Sequence, residues 1–141
     1  MKEWWGGRTL AAGSFILVLA FTFILFNSQL SAEEMVIVNK DFNGREIKVR
    51  AGGMIRVDLE EIGSTGYSWT IQDLDNELFE VVSVRTENPP PASDVTGKPV
   101  IKTWEIRAKK AGLGEIKILQ YRPWEGKEKA AGSFFLKVRI I

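Results

Sequence analysis

Residues 100–122 read VIKTWEIRAKKAGLGEIKILQYR, and the spacing of apolar side chains in this stretch sets the fold class. Val100, Trp104, Ile106 and Ala108 fall on alternate positions, with Lys102 the one exception in the phase. A period of two belongs to a β-strand, whose successive side chains point to opposite faces of a sheet. GEIKILQYR, residues 114–122, predicts a second strand, and SFFLKVRII, residues 133–141, a third with Phe134, Leu136, Val138 and Ile140 together on one face.

The same alternation runs upstream. MVIVNK (35–40), REIKVRA (45–51), MIRVDLE (54–60), YSWTI (67–71) and LFEVVSVR (78–85) are short apolar-alternating stretches. They are punctuated by turn residues, DFNG at 41–44 and Gly52-Gly53 among them. No window keeps the i, i+3, i+4 spacing over the ten or more residues that a helix needs. The expectation is an all-β domain, a β-sandwich of seven or eight strands with one apolar face per strand. Trp69 and Trp104 fall in phase with apolar neighbours and are expected in its core. TENPPPASDVTGKP, residues 86–99, has three consecutive prolines and no apolar periodicity, so it reads as a long connection rather than a central strand.

Before residue 33 the chain is different in kind. Lys2 and Arg8 precede an apolar run from Leu10 to Phe26, and NSQLSA then ends on Ala32 before Glu33-Glu34. A basic start, an apolar middle and a small residue at the end describe a secretory signal peptide. The run is also long enough to approach a bilayer's thickness, and Leu30 stands where a small residue is preferred. Residues 1–32 are therefore read as either a cleaved signal or a retained membrane anchor, with 33–141 exported into the periplasm or the extracellular space. An anchor would be the chain's one contact with a membrane. Without cysteine there is neither a disulfide nor a lipid-attachment thiol, so the exported domain of about 110 residues must be held by its core alone.

Composition excludes much chemistry. The formal net charge is +1, which gives no concentrated basic face for nucleic acid. The chain has no histidine and no cysteine, which removes the commonest general base, thiol nucleophiles and the usual zinc or copper ligands. Neither a phosphate-binding glycine loop nor a calcium-loop spacing is present. Glu60-Glu61 and Asp73 with Asp75 read as solvated acids of turns and strand ends. The domain is read as a binding module rather than an enzyme, with no cofactor and no metal, and as a monomer.

Recognition on a rigid sandwich belongs to its loops. The first of interest is EIGSTGYSW, residues 61–69, where small residues and two glycines let the backbone approach another molecule; a plain hairpin turn would read the same way. The second is the proline-rich stretch 86–100. The third is 121–126, YRPWEG, where Trp124 lies between Arg122 and Glu125. Tryptophan beside arginine is the composition of an interface hot spot, but tryptophan in a sandwich is equally often core. Local pattern leaves Trp124 open between the two.

Taken in order, these motifs resemble the chagasin-like family of inhibitors of papain-like cysteine peptidases. WEIRAKKAGLGEIKILQ followed by YRPWE is similar to the family's strand, Ala-x-x-x-Gly turn, strand and Arg-Pro-Trp loop. Ile62-Gly63-Ser64-Thr65-Gly66-Tyr67 resembles its Asn-Pro-Thr-Thr-Gly-Tyr motif. The resemblance runs from about residue 40 to the C-terminus and implies an immunoglobulin-like sandwich whose three loops, at one end, wedge reversibly into the peptidase cleft. It implies that Thr65 and Gly66, with Gly63 and Ser64 before them, make the central contact beside the catalytic cysteine. Tyr67 would support that loop, and Arg122, Pro123 and Trp124 would clamp its flank. Of the family's glycine-rich middle motif only Gly97 aligns, followed by Lys98-Pro99-Val100. Ile62-Gly63 in place of Asn-Pro implies a loop less rigid before binding, with a corresponding loss of affinity. From the residues alone, a second reading stays open: an immunoglobulin-like adhesion or assembly module of the envelope, binding a protein or glycan through the same loops.

Overall fold

The computed structural model describes residues 33–87 and 98–141. The N-terminal signal or anchor segment and Gly97 lie outside the described residues. Residues 33–141 form one compact unit of eight strands: β1 Met35–Val38, β2 Glu46–Val49, β3 Met54–Glu61, β4 Ser68–Gln72, β5 Phe79–Glu87, β6 Val100–Ala108, β7 Gly112–Tyr121 and β8 Gly132–Ile140. They make two four-stranded sheets, ordered β1-β3-β6-β5 and β2-β8-β7-β4.

The period of two does what it predicts. In β8, Phe134, Leu136, Val138 and Ile140 are buried while the residues between them face outward. Ile55, Val57 and Leu59 of β3, Trp104, Ile106 and Ala108 of β6, and Ile116 and Ile118 of β7 join them in one core. That core draws on the inner faces of both sheets, which makes the pair a sandwich. β5 lies at a sheet edge and buries only Phe79, leaving Val81, Val82 and Val84 exposed; a bulge between Val81 and Ser83 shifts its register with β6.

The DFNG turn does not return β1 alongside β2. A 3-10 turn at Lys40–Phe42, capped by Asn39 accepting from the Asp41 N–H at 2.9 Å, carries the chain across the sandwich. β1 then pairs parallel to β3 in one sheet, and β2 parallel to β8 in the other. Near the start of β3 the carbonyl of Glu34 accepts from Met54 N, and that of Ile141 accepts from Ala51 N. Residues 34 and 141 therefore meet at the β2–β3 turn.

The outer face of the first sheet carries a polar network. Thr103, buried there, donates to Asp58, and Arg56 donates to the same carboxylate. Glu105 accepts from Ser83 and from Arg85, both at 2.9 Å. The Ser83 hydroxyl first, and the charge of Arg85 after it, hold the Glu105 carboxyl below its ordinary range. A carboxyl whose folded pKa is depressed contributes stability above its unfolded pKa and loses it as pH falls through the folded value. Thermal melts of the domain should therefore hold from neutrality to mildly acid pH and drop below the ordinary glutamate range. Glu105→Gln should flatten that drop, and an unchanged acid limb in the variant would remove Glu105 from the account.

Candidate functional site

Strand register gathers the loops. Glu61 lies opposite Val100, and Glu87 opposite Ile101. Ser68 lies opposite Tyr121, and Gln120 opposite Gly132. The β3–β4, β5–β6 and β7–β8 connections therefore leave from one end of the sandwich, away from the β2–β3 turn.

The β3–β4 connection is a single 3-10 turn, Gly63–Thr65, closed by Gly66. The hydroxyl of Thr65 donates to the Ile62 carbonyl at 2.7 Å, its N–H reaches the same oxygen at 3.1 Å, and Gly66 N donates to Gly63 O at 3.2 Å. These bonds fold the turn on itself without the Asn-Pro pair. Gly66 has φ +76°, the left-handed region where a side chain is strained. Gly63, Ser64 and Thr65 are exposed, while Gly66 and Tyr67 are half-buried. The turn presents backbone amides and small hydroxyls to solvent, and no ionisable side chain stands between Ile62 and Gly66.

The β7–β8 connection turns back at once, with Glu125 N and Gly126 N both donating to Arg122 O. This tight return replaces ladder bonds that Pro123 could not make. Arg122 turns toward the first loop: its Nε donates to the Thr65 carbonyl at 2.9 Å, across 57 residues of sequence. Its guanidinium lies 4.4 Å from the centre of the Tyr67 ring and 6.0 Å from that of Trp124, within cation–π range. It also pairs with Glu125 at 3.5 Å. Trp124 is 73% exposed, and its ring lies against Gly66 so closely that a Cβ there would run into it. The question left by local pattern is answered: Trp124 is a surface residue seated on the neighbouring loop. Pro123 beside it is exposed.

Gly63, Ser64, Thr65, Gly66, Tyr67, Arg122, Pro123 and Trp124 thus form one continuous ridge. Of the third connection only the roots are described, Glu87 on one side and exposed Lys98 and Pro99 on the other. Among the described residues no group of His, Cys, Asp or Glu could hold a metal ion.

Two expectations need correction beneath this ridge. Glu61 is not a solvated acid: it is 9% exposed, on the inward face of β3, and it accepts from Ser68 Oγ and Trp69 N. It is two residues from Leu59 in an alternating strand, and the same phase that buries Leu59 turns it inward. Trp69 is half-buried at the rim, packed against the core but outside it, because β4 is an edge strand. Its indole N–H donates to Glu60 O at 2.8 Å. Lys102, the exception in the β6 phase, also points inward, and its Nζ donates to Ser68 Oγ and Trp69 O.

Residues 48–138 match the chagasin family peptidase inhibitor I42. Amoebiasin-2 of Entamoeba histolytica is 33% identical over 76 residues, which cover 53% of this chain and 61% of that protein, so the match spans about three fifths of that relative. Chagasin of Trypanosoma cruzi is 26% identical over 91 residues, 63% of this chain and 83% of that protein. In fold, the chain resembles the crystal structure of the cysteine protease inhibitor EhICP2 from Entamoeba histolytica, with TM-score 0.69 at 24% identity over 77% of this chain and 96% of that one. The family match covers most of the sandwich, from within β2 to within β8, and includes both loops of the ridge. This chain belongs to the chagasin family of peptidase inhibitors.

Proposed function

We propose that the domain inhibits papain-like cysteine peptidases by reversible, non-covalent occupation of the active-site cleft. The observation that carries this reading is the joining of the two loops: Arg122 bonded to the Thr65 carbonyl and the Trp124 ring seated on Gly66. The ridge offers a narrow edge of backbone and small side chains at Gly63–Gly66, with an indole on its flank. Such an edge fills a cleft without offering an extended scissile bond, and neither a nucleophile nor a base in the ridge would react with the enzyme. Family membership and the resemblance of motifs support Thr65 and Gly66 as the central contact, with Arg122, Pro123 and Trp124 as the flanking clamp and Gly97 as a contact from the middle loop.

The test is steady-state inhibition of several papain-like peptidases by purified residues 33–141. Reversible inhibition is expected; a folded domain that leaves all of them unaffected at micromolar concentration overturns the reading. Trp124→Ala should raise the inhibition constant by roughly 30-fold, the effect of losing one aromatic hot spot. Its midpoint of thermal unfolding should stay within about 2 °C of the parent, because an exposed side chain supports little of the core. A large loss of stability would assign the indole to the fold instead.

For location, residues 1–32 would direct export, either removed or kept as an anchor, and the domain would act as a monomer outside the cytoplasm. The basic-apolar-small order of that segment supports export. N-terminal sequencing of the exported protein distinguishes removal from retention.

A further inference from the structure

We infer that Glu61 and Lys102 are positioning residues for the central turn, a charged tie between the two sheets that fixes where residues 62–67 stand. The inference rests on the reading of that turn as the peptidase contact. Both side chains lie on the inward face of the first sheet, where an unpartnered charge is costly. Leu59 of β3 lies opposite Lys102 of β6, so Glu61 and Lys102 are diagonal neighbours at the end that bears the loops.

Their partners are the first two residues of β4, in the opposite sheet. Glu61 Oε2 accepts from Ser68 Oγ at 3.1 Å and from Trp69 N at 3.0 Å. Lys102 Nζ donates to Ser68 Oγ at 2.9 Å and to Trp69 O at 2.7 Å, and it stands 5.5 Å from the centre of the Trp104 ring. The Ser68 hydroxyl thus accepts from the ammonium and donates to the carboxylate. The N–H and the C=O of Trp69 are each held by a charged side chain.

Those two backbone groups have no ladder partner, and the tie takes its place. β4 is an edge strand whose one neighbour is β7. Trp69 lies opposite Gln120, whose carbonyl is turned toward β8, where it accepts from Ala131 N. Trp69 therefore directs its own N–H and C=O away from β7, toward the open edge. The carboxylate and the ammonium fill that edge. They also fix the residues on either side of the turn, since Glu61 ends the strand before it and Ser68 begins the strand after it. A turn fixed at both roots enters a cleft already ordered, and loosening the roots transfers the ordering to the binding step.

The test compares Lys102→Met, Ser68→Ala and Glu61→Gln in residues 33–141. It reads inhibition of a papain-like peptidase together with amide hydrogen exchange at residues 65–69 and at Ile116 and Leu136. Lys102→Met keeps length and apolar packing but loses both donors; Ser68→Ala removes only the relay and keeps the fold should Lys102→Met fail to fold. Each should raise the inhibition constant, Lys102→Met by about tenfold and Ser68→Ala by about threefold, on the scale of one or two lost charge-assisted hydrogen bonds. Each should speed exchange at residues 65–69 while leaving Ile116 and Leu136 as in the parent. Glu61→Gln keeps an acceptor oxygen for Ser68 and Trp69 and should stay within about twofold of the parent in inhibition. Unchanged inhibition and exchange in folded Lys102→Met and Ser68→Ala overturn the proposal, as does an equal acceleration in the core, which marks general destabilisation. If the parent domain inhibits no peptidase, the functional reading falls, and exchange at residues 65–69 alone decides whether the tie holds the turn.

Discussion

Gly66→Ala should raise the inhibition constant at least about a hundredfold while leaving the sandwich folded. Two separate losses combine. At φ +76° a Cβ is strained, by roughly 1–2 kcal/mol for an L-residue in the left-handed region. The same Cβ runs into the Trp124 ring, so the indole has to leave its seat, and the loss of one aromatic anchor is worth about 2 kcal/mol or more. Together these come to about 3 kcal/mol or more, which is about two decades of affinity or more. A double-mutant cycle isolates the second loss: in a Trp124→Ala background there is no ring to displace, and Gly66→Ala should weaken inhibition by a smaller factor. Equal factors in the two backgrounds would show that the two loops do not act as one surface.

The largest effect on stability is expected from Trp104→Ala. Trp104 is 2% exposed, lies between Val57 of β3 and Val84 of β5 in its sheet, and belongs to the core cluster. Truncating a buried tryptophan removes about 3–5 kcal/mol, from a total of about 5–15 kcal/mol for a domain of ordinary stability. With no cysteine in the chain, no covalent link offsets the loss. The midpoint of thermal unfolding should fall by at least about 12 °C, measured by calorimetry or circular dichroism. A shift of only one or two degrees would mean that the core closes around the vacancy. The contrast with Trp124 is the useful one: the same residue type, 20 positions apart by number, should govern folding at one site and inhibition at the other.

The strands were legible because burying one face of a sheet writes a period of two into the chain. All the stretches with that period are strands, and β8 follows it without exception from Phe134 to Ile140. Pairing was not legible, because alternation says which side chains turn inward and nothing about the neighbouring strand. β1 and β2, close in sequence and alike in pattern, sit in different sheets. The bulge in β5 was hidden for a related reason, since VVSV reads as apolar in either phase.

At the ridge, the turn residues and the Arg-Pro-Trp sequence were visible, but their contact was not. Arg122 reaches Thr65 through a fold that has to exist first. By residue type Glu61 reads as solvated, although its phase with Leu59 points inward. Lys102 gave the better signal: a cation in an inward phase requires acceptors nearby, and those acceptors turned out to flank the turn.

The meeting of residues 34 and 141 at the β2–β3 turn has a practical consequence. Both ends of the domain emerge at the pole farthest from Gly66 and Trp124. A carrier protein, a bead or a lipid surface attached at either end would hold the domain with its ridge facing outward. Copies joined end to end would each keep an unobstructed edge.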